Sequence, residues 1–209
     1  PTTWSSWGAS TPATTWATDP KTGCQIGYVS DNWSLTAASW MGPVVNGKAE
    51  GKGQVNMTLR GKDGKLLTIS AEAEMIAGLL EGKVLLKWSD GDIYDGYYKA
   101  GLLDGKVFLK WPDGDTFDGY YKAGLREGKG LYKYADGRYY EGDYRANRNE
   151  GKGLFHWANG ETYEGDWVAD AANGKGIQRM ASGAYYEGDF KDGKKEGKGT
   201  YHFKSGEVY

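Results

Sequence analysis

Gly128–Gly151, GKGLYKYADGRYYEGDYRANRNEG, is one copy of a repeat that makes up most of this chain. Three of its glycines return every 23 residues in a single register. The first column is Gly82, Gly105, Gly128, Gly151, Gly174 and Gly197, the second is Gly91, Gly114, Gly137, Gly160, Gly183 and Gly206, and the third is Gly96, Gly119, Gly142, Gly165 and Gly188. Composition bias cannot hold three columns in register, and a fixed period of this length indicates a stacked-repeat architecture.

Each copy is predicted to be a β-hairpin. An Asp-Gly or Asn-Gly turn divides it into two arms, and apolar residues alternate with polar ones along each arm. Successive side chains of a strand point to opposite faces, so the pattern assigns two faces. One face carries Leu86, Trp88, Tyr94, Gly96 and Tyr98 with their equivalents, and the other, mostly charged face carries Lys87, Asp95 and theirs. We expect an aromatic ring of a neighbouring strand to lie across each glycine of the Gly96 type.

The repeat resembles the MORN (membrane occupation and recognition nexus) family, whose copies run roughly YEGxxxxGxxHGxGxxxxxDGxx. The residues that carry the resemblance are Tyr140-Glu141-Gly142, Tyr163-Glu164-Gly165 and Tyr186-Glu187-Gly188, with the weaker Tyr94-Asp95-Gly96 and Phe117-Asp118-Gly119. The Gly-x-Gly that follows lapses at Val84 and Val107. The resemblance covers about three quarters of the chain. With the 23-residue period, it implies an all-β fold, a single-layer antiparallel sheet of stacked β-hairpins shaped as a rod or trough.

The chain is expected to contain four segments. Residues 1–22 form a tail rich in Trp, Thr and Ser, and residues 23–50 form a degenerate capping hairpin with one strand near Gln25–Ser30. Residues 51–81 form a longer hairpin, with four extra residues in each arm. Residues 82–209 hold the MORN-type repeats. The last copy stops at Tyr209 within its return strand, so either the protein continues or this end has an incomplete edge.

Composition excludes some classes of function. The formal net charge of −2 argues against a nucleic-acid binder held by phosphate contacts. No apolar run reaches the roughly 18 residues of a membrane span. The start at Pro1 and the Thr/Ser/Trp-rich beginning favour an exported protein. The single Cys24 cannot form an internal disulfide, which leaves burial or a cross-link to another chain.

No catalytic set, metal site, cofactor site or small-molecule substrate is predicted. His156 and His202 share a column with Lys87 and Arg179, so we expect them to be solvated on the outer face. The carboxylates of one column lie roughly 10 Å apart, which is too far for a shared metal or proton. That column is Asp95, Asp118, Glu141, Glu164 and Glu187.

A lysine ladder is the most ordered charge feature of the sequence. Its members are Lys83, Lys106, Lys129, Lys152, Lys175 and Lys198. The ladder could grip anionic lipid headgroups, as has been suggested for MORN proteins. An acid precedes nearly every lysine (Glu81, Asp104, Glu127, Glu150 and Glu196), and charges this close largely cancel beyond a Debye length. A solvated structural ladder is therefore favoured over a lipid site.

An aromatic groove is the candidate surface for a peptide or protein partner. Its predicted members are Trp88, Trp111, Tyr134 and Trp157, with Tyr98, Tyr121, Tyr144 and Trp167. The tail with Trp4, Trp7 and Trp16 is either a flexible linker, as its composition suggests, or a segment that docks on the chain's own repeats or on a second copy.

The function predicted from the sequence is a non-enzymatic scaffold or protein-interaction module that could self-assemble end to end through open sheet edges. Two alternatives stay open. One is a peripheral module that binds anionic lipid. The other is a substrate-positioning appendage of an enzyme whose catalytic domain is absent from this sequence.

Overall fold

A computed structural model describes residues 12–209, and every regular element in that range is a β-strand. The expected places of Trp4 and Trp7 lie outside the described residues. The chain divides into two compact units, Pro1–Pro112 and Asp113–Tyr209, here called unit 1 and unit 2.

Unit 1 contains ten strands in two sheets. The strands are β1 (Thr14–Thr18), β2 (Gln25–Val29), β3 (Trp33–Met41), β4 (Val44–Val45), β5 (Lys48–Ala49), β6 (Gly51–Gly61), β7 (Leu66–Ile76), β8 (Leu79–Trp88), β9 (Ile93–Lys99) and β10 (Leu102–Lys110). The larger sheet has the order β3-β6-β7-β8-β9-β10, and all its neighbours are antiparallel. The small sheet has the order β1-β2-β5-β4.

The long hairpin expected at residues 51–81 is present as β6 and β7, each of 11 residues. Buried and exposed residues alternate without a break along β7, which confirms a strand where the AEAEM run could also have formed a helix. Val55, Leu59 and Ile69 lie on the buried face of this hairpin.

The expected hairpin at residues 23–50 is wrong in its pairing. β3 pairs with β6, whereas β2 pairs with β1 and β5. The nine residues of β3 can follow most of the 11-residue β6, which the five residues of β2 could not. β2 instead turns its apolar side toward the larger sheet, where Ile26 is fully buried.

Unit 1 therefore has a second layer that the sequence did not predict. The side chain of Tyr28 in β2 meets the Trp88 ring edge-on at 6.2 Å, and Trp33 lies 5.9 Å from the same ring. One core of buried side chains, largely aliphatic, joins the two sheets. The buried aliphatic side chains of the described residues are concentrated in this unit.

Unit 2 contains eight strands in sequence order, and each pairs antiparallel with the next. They are β11 (Thr116–Lys122), β12 (Leu125–Lys133), β13 (Tyr139–Arg145), β14 (Arg148–His156), β15 (Thr162–Val168), β16 (Ala171–Arg179), β17 (Tyr185–Lys191) and β18 (Lys194–His202). All eight belong to one sheet, which confirms the stacked β-hairpins predicted from the 23-residue period.

A row of paired glycines crosses the sheet of unit 2. Gly142 of β13 lies opposite Gly130 on one side and Gly153 on the other. The same glycine pairing recurs between each later pair of strands as far as Gly199 of β18. Glycine on both strands leaves a bare strip of backbone on the inner face, the face that carries the aromatic rings.

Candidate functional site: the aromatic face of unit 2

The inner face of unit 2 carries aromatic rings at four repeating positions, and we call these rings the aromatic face. Each ring alternates along its strand with residues of the charged outer face, as strand geometry requires. The aromatic face consists of Phe117, Tyr121, Tyr132, Tyr134, Tyr140, Tyr144, Phe155, Trp157, Tyr163, Trp167, Tyr186, Phe190, Tyr201 and Phe203.

The lower rings of the aromatic face rest on the glycine row. A Cβ added at Gly142 would lie 2.5 Å from the Tyr140 hydroxyl and 2.6 Å from the Cα of Gly153. The Tyr140 hydroxyl donates a hydrogen bond to the carbonyl of Asp143 at 3.0 Å. The ring thus belongs to the same strand as its glycine, two residues earlier, and not to a neighbouring strand as expected. Glycine is required because the ring occupies the space of a side chain.

Burial changes the acidity of these tyrosines. Burial is the main cause that raises the pKa of Tyr163 to about 12, and the nearby Asp166 carboxylate adds to it. The pKa of Tyr140 is also raised, chiefly by burial and then by the charges of Asp143 and Asp170. Both hydroxyls therefore stay protonated at neutral pH and act as hydrogen-bond donors.

The upper rings stand on the lower ones and remain half-buried. Tyr140 meets Trp167 edge-to-face, with ring centroids 5.2 Å apart and planes at 84°. Above this pair, Phe155 and Trp157 lie 4.7 Å apart, and both are half-buried. Edge-to-face contacts of this kind stabilise a ring array beyond its area burial. The accessible part of the aromatic face is therefore a rigid apolar surface.

The predicted groove residues fall into two groups. Trp88 and Tyr98 are each only 6% exposed and belong to the core of unit 1. Tyr144 and Trp167 are likewise buried, whereas the half-buried members are Trp111, Tyr121, Tyr134 and Trp157. Sequence reasoning missed the half-buried Tyr132 and Phe155, although each lies two residues before a predicted member and so shares its face.

Cationic side chains lie over several rings of the aromatic face. The Arg126 guanidinium carbon is 5.0 Å from the Tyr144 ring centroid, and the Lys195 amine is 5.0 Å from that of Tyr186. Arg138 lies 4.5 Å over Tyr134. Cations at these distances are attracted to the ring faces. Sequence reasoning missed these contacts, because two neutral copies separate Arg126 from Lys195 and Arg138 belongs to another column.

The outer face pairs the lysine ladder with aspartates. Lys129 lies 2.8 Å from Asp143, Lys152 lies 2.5 Å from Asp166 and Lys175 lies 2.5 Å from Asp189. In unit 1, Lys83 lies 3.7 Å from Asp95. The partner is thus a carboxylate in the return strand of the same hairpin, and not the acid that precedes the lysine in sequence.

The preceding acids have a different role, which is to bind turn amides. Glu127 accepts a hydrogen bond from the amide of Ala146 at 3.1 Å, and Glu150 does the same for Ala169 at 3.1 Å. Both alanines have a positive φ, of 47° and 48°, a backbone conformation that residues other than glycine seldom adopt. The glutamates therefore hold strained turns in place.

The ladder aspartates also close a β-bulge. Between β15 and β16, the register shifts after Gly165, and the Asp166 carboxylate accepts a hydrogen bond from the amide of Lys175 at 3.0 Å. The side chain of Lys152 is the main cause that lowers the pKa of Asp166, and the Lys175 amide adds to it. The ladder is accordingly part of the sheet's own hydrogen bonding.

The two histidines lie on the outer face as expected, but they are half-buried and stacked rather than solvated. His156 stacks on Tyr139 of the neighbouring strand at 4.9 Å and 7°, and His202 stacks on Tyr185 at 4.2 Å and 9°. Across residues 12–209, no three His, Cys, Asp or Glu side chains are grouped closely enough to hold a metal ion.

The described part of the tail packs on the chain itself. Trp16 of β1 is 41% exposed, and the Lys48 amine lies 4.7 Å over its ring. Asp19 is buried, and its carboxylate accepts hydrogen bonds from the amides of Trp40 at 2.9 Å and Lys21 at 2.7 Å. Cys24 is a free, fully buried thiol. The tail residues from 12 onward are thus part of the cover over unit 1.

The sequence matches the family model for the MORN repeat at residues 94–116, 117–137, 140–162, 163–185 and 186–208. The chain belongs to the MORN repeat family. The matched copies cover more than half of the chain, and four of the five begin at the ring that rests on a glycine pair, as in Tyr140 over Gly142. No curated protein sequence matches the chain. The part of the chain that the structure describes contains no helix that could cross a membrane.

Among the solved structures, the MORN chain is similar to the G-box domain of the microcephaly protein CPAP, for which a role in centriole elongation has been suggested. The identity is 9%, the TM-score is 0.38, and the match covers 94% of this chain and 97% of that chain. At this identity and TM-score, the likeness does not bear on function.

Proposed function

We propose that this MORN protein is a non-enzymatic scaffold that binds a protein partner along the aromatic face of unit 2. MORN repeats generally mediate protein or membrane interactions. The observation that carries the proposal is the half-buried state of the upper rings, among them Tyr134 and Trp157. Covering such rings removes apolar surface from water, and aromatic side chains are frequent centres of binding energy.

The outer face favours a protein partner over a membrane. Lys129, Lys152 and Lys175 each have an aspartate within ion-pair distance, so their charge is balanced locally. A lipid-binding module needs uncompensated positive charge near the surface. Salt-sensitive binding to anionic liposomes that is lost when Lys106, Lys129 and Lys152 are neutralised together would favour the membrane alternative instead.

A second copy of the chain is one candidate partner, and the tail bears on it. The ring of Trp16 and the carboxylate of Asp19 are already in contact with their own chain. Residues 12–22 therefore support an intramolecular cap over tail-mediated assembly. Sedimentation of the full chain as a monomer at high concentration would exclude self-association.

The proposal is tested by site-specific cross-linking in extracts of cells that make the protein. A photoreactive phenylalanine analogue replaces Trp157 on the aromatic face or Lys133 on the outer face. We expect a specific partner to be captured from position 157 and not from position 133. The purified partner should then bind a variant with Tyr134→Ala and Trp157→Ala at least about tenfold more weakly, as expected for the loss of two aromatic anchors.

The matched control is Lys133→Ala, which changes the outer face of the same repeat and should leave affinity unchanged. Capture from position 133 alone, or full affinity in the double variant, would show that the aromatic face is not the binding surface.

A further inference from the structure

Four equivalent positions on the inner face of unit 2 are filled differently. Arg126, Asn149, Ala172 and Lys195 are spaced by 23 residues. Each lies opposite an aromatic residue of the preceding strand, in the pairs Tyr121↔Arg126, Tyr144↔Asn149, Trp167↔Ala172 and Phe190↔Lys195. A cation occupies the first and last positions, and a neutral side chain occupies the two between.

Arg126 shows how a cation fits this surface. Its guanidinium carbon lies 5.8 Å from the Phe117 ring, 5.7 Å from Tyr132 and 5.0 Å from Tyr144. The guanidinium also donates a hydrogen bond to the carbonyl of Asn147 at 2.8 Å. Three rings and one backbone acceptor thus surround a planar cation. We call such a set of rings, with the residue at its centre, a step.

The same step is built around Asn149, but without its cation. Tyr140 and Trp167 meet at 5.2 Å and 84°, close to the 5.4 Å and 86° of Phe117 and Tyr144 in the Arg126 step. Phe155 takes the position of Tyr132. The ring centroids of Phe155 and Trp157 are 4.7 Å apart, and those of Tyr132 and Tyr134 are 4.6 Å apart. The step at Ala172 is less complete, because Gln178 replaces the third ring.

At the edge of the Asn149 step, the side-chain carboxylate of Asp170 takes the place that the side-chain amide of Asn147 has beside Arg126. The Asn149 amide donates to the Asp170 carboxylate at 2.7 Å, as the Arg126 amide donates to the Asn147 side chain at 2.8 Å. In return, the backbone amide of Asn147 donates to the carbonyl of Arg126, and that of Asp170 donates to the carbonyl of Asn149. Both hydrogen bonds are 3.1 Å long. Asp170 therefore keeps the geometry of Asn147 while adding a negative charge beside the rings. Rings and charge together are complementary to a cation.

We propose that the Asn149 step receives an arginine side chain from an extended segment of a partner protein. The guest takes the place over Tyr140, Phe155 and Trp167 that Arg126 takes over its own rings. Arginine fits better than lysine because its planar group can stack on rings and donate to the Asp170 carbonyl or carboxylate at the same time. The inference rests on the proposed function, since it names the chemistry that the aromatic face selects.

The test is a titration of the full chain, followed by the indole N–H resonance of Trp167, which donates to the Gly153 carbonyl at 3.0 Å. The probes are a short threonine- and valine-rich peptide with one central arginine, and the same peptide with neutral citrulline. We expect a saturable shift with arginine and at least about tenfold weaker binding with citrulline. Asp170→Asn should weaken binding of the arginine peptide severalfold and leave the rest of the spectrum unchanged.

Asn149→Arg is the control that fills the step from within. It should move the Trp167 resonance toward its bound position and abolish the effect of the arginine peptide. Equal binding of the two peptides, or undiminished binding by Asn149→Arg, would overturn the arginine inference while leaving the scaffold proposal intact. Failure of both peptides to shift Trp167 overturns the arginine inference, and the scaffold proposal then stands or falls on the cross-linking result.

Discussion

Units 1 and 2 share one hairpin register but fill the space above their backbones in different ways. In unit 1, Gly96 lies between Val84 and Val107, and an added Cβ there would meet the Val107 side chain. In unit 2, Gly142 lies between two glycines, and the Tyr140 ring covers the gap. Aliphatic side chains fill the first strip, and rings fill the second.

This difference decides what can cover each face. The aliphatic strip of unit 1 packs against a second sheet, so Trp88 is buried in a closed core. The rings of unit 2 stand above their glycines, and their upper members stay half-buried. The lesson is that, among the copies from Gly82 onward, an intact Gly-x-Gly accompanies rings that lie on the glycines, whereas Val84 and Val107 accompany aliphatic packing around Gly96.

The largest expected effect concerns the cover of unit 1. Asp19→Ala removes the carboxylate that accepts the amides of Trp40 and Lys21. Leaving the buried Trp40 amide without an acceptor should lower the free energy of unfolding by about 3 kcal/mol. Urea unfolding and hydrogen exchange in unit 1 would measure it. Asp63→Ala, which removes a similar bond in an exposed turn, should cost less than about 1 kcal/mol.

The contribution of Asp19 should depend on pH in a defined direction. The backbone amide of Trp40, followed by that of Lys21, lowers the pKa of Asp19 in the folded chain. Its stabilising effect is therefore fully present above the unfolded carboxyl pKa, about 3.9, and is lost as the pH falls through the lower folded value. Asp19→Asn should reduce this acid dependence. An unchanged acid transition would contradict the assigned hydrogen bonds.

The next effect compares the two strips directly. Gly142→Ala places a Cβ 2.6 Å from the Gly153 backbone, which cannot rotate away. We expect a loss of about 2–3 kcal/mol, as for overpacking of a core. Gly96→Ala meets side-chain atoms alone, at 2.7 Å and 3.1 Å in Val107 and at 3.2 Å in Leu103, and should cost about 1 kcal/mol, since these side chains can shift more easily than backbone. Equal losses of stability for the two variants in thermal unfolding would show that the rings are not the reason for the glycines in the row.

The smallest effect concerns the outer face. Asp166→Ala removes the acceptor for the Lys175 amide and the ion pair with Lys152. Because the carboxylate is about a third exposed, we expect a loss of only about 1 kcal/mol in urea unfolding. Tyr97 occupies the same repeat position in unit 1 and is exposed, so Tyr97→Ala should cost less. A larger loss for Tyr97 would mean that the outer bulges of unit 1 are held by that ring.

The glycine period gave the hairpins, their register and the two faces, because turn residues and alternation are local signals. The small sheet over unit 1 was missed because its strands are short and the partner of β2 is fixed by burial of Ile26 and not by turn residues. Half of the predicted groove proved to be buried, with Trp88 and Tyr98 in the core of unit 1 and Tyr144 and Trp167 among the rings of unit 2. The cations over the rings were missed because Arg126 and Lys195 are separated by two neutral copies.

The central claim is that the chain closes the inner face of unit 1 itself and leaves that of unit 2 open for a partner. Hydroxyl-radical footprinting of the full chain tests it, with oxidation of Trp88 and Trp157 measured before and after addition of the cross-linked partner. We predict faster oxidation at Trp157 than at Trp88 in the free chain, and protection of Trp157 alone in the complex. Equal protection of both in the free chain, or a partner that leaves Trp157 oxidation unchanged, would contradict the claim.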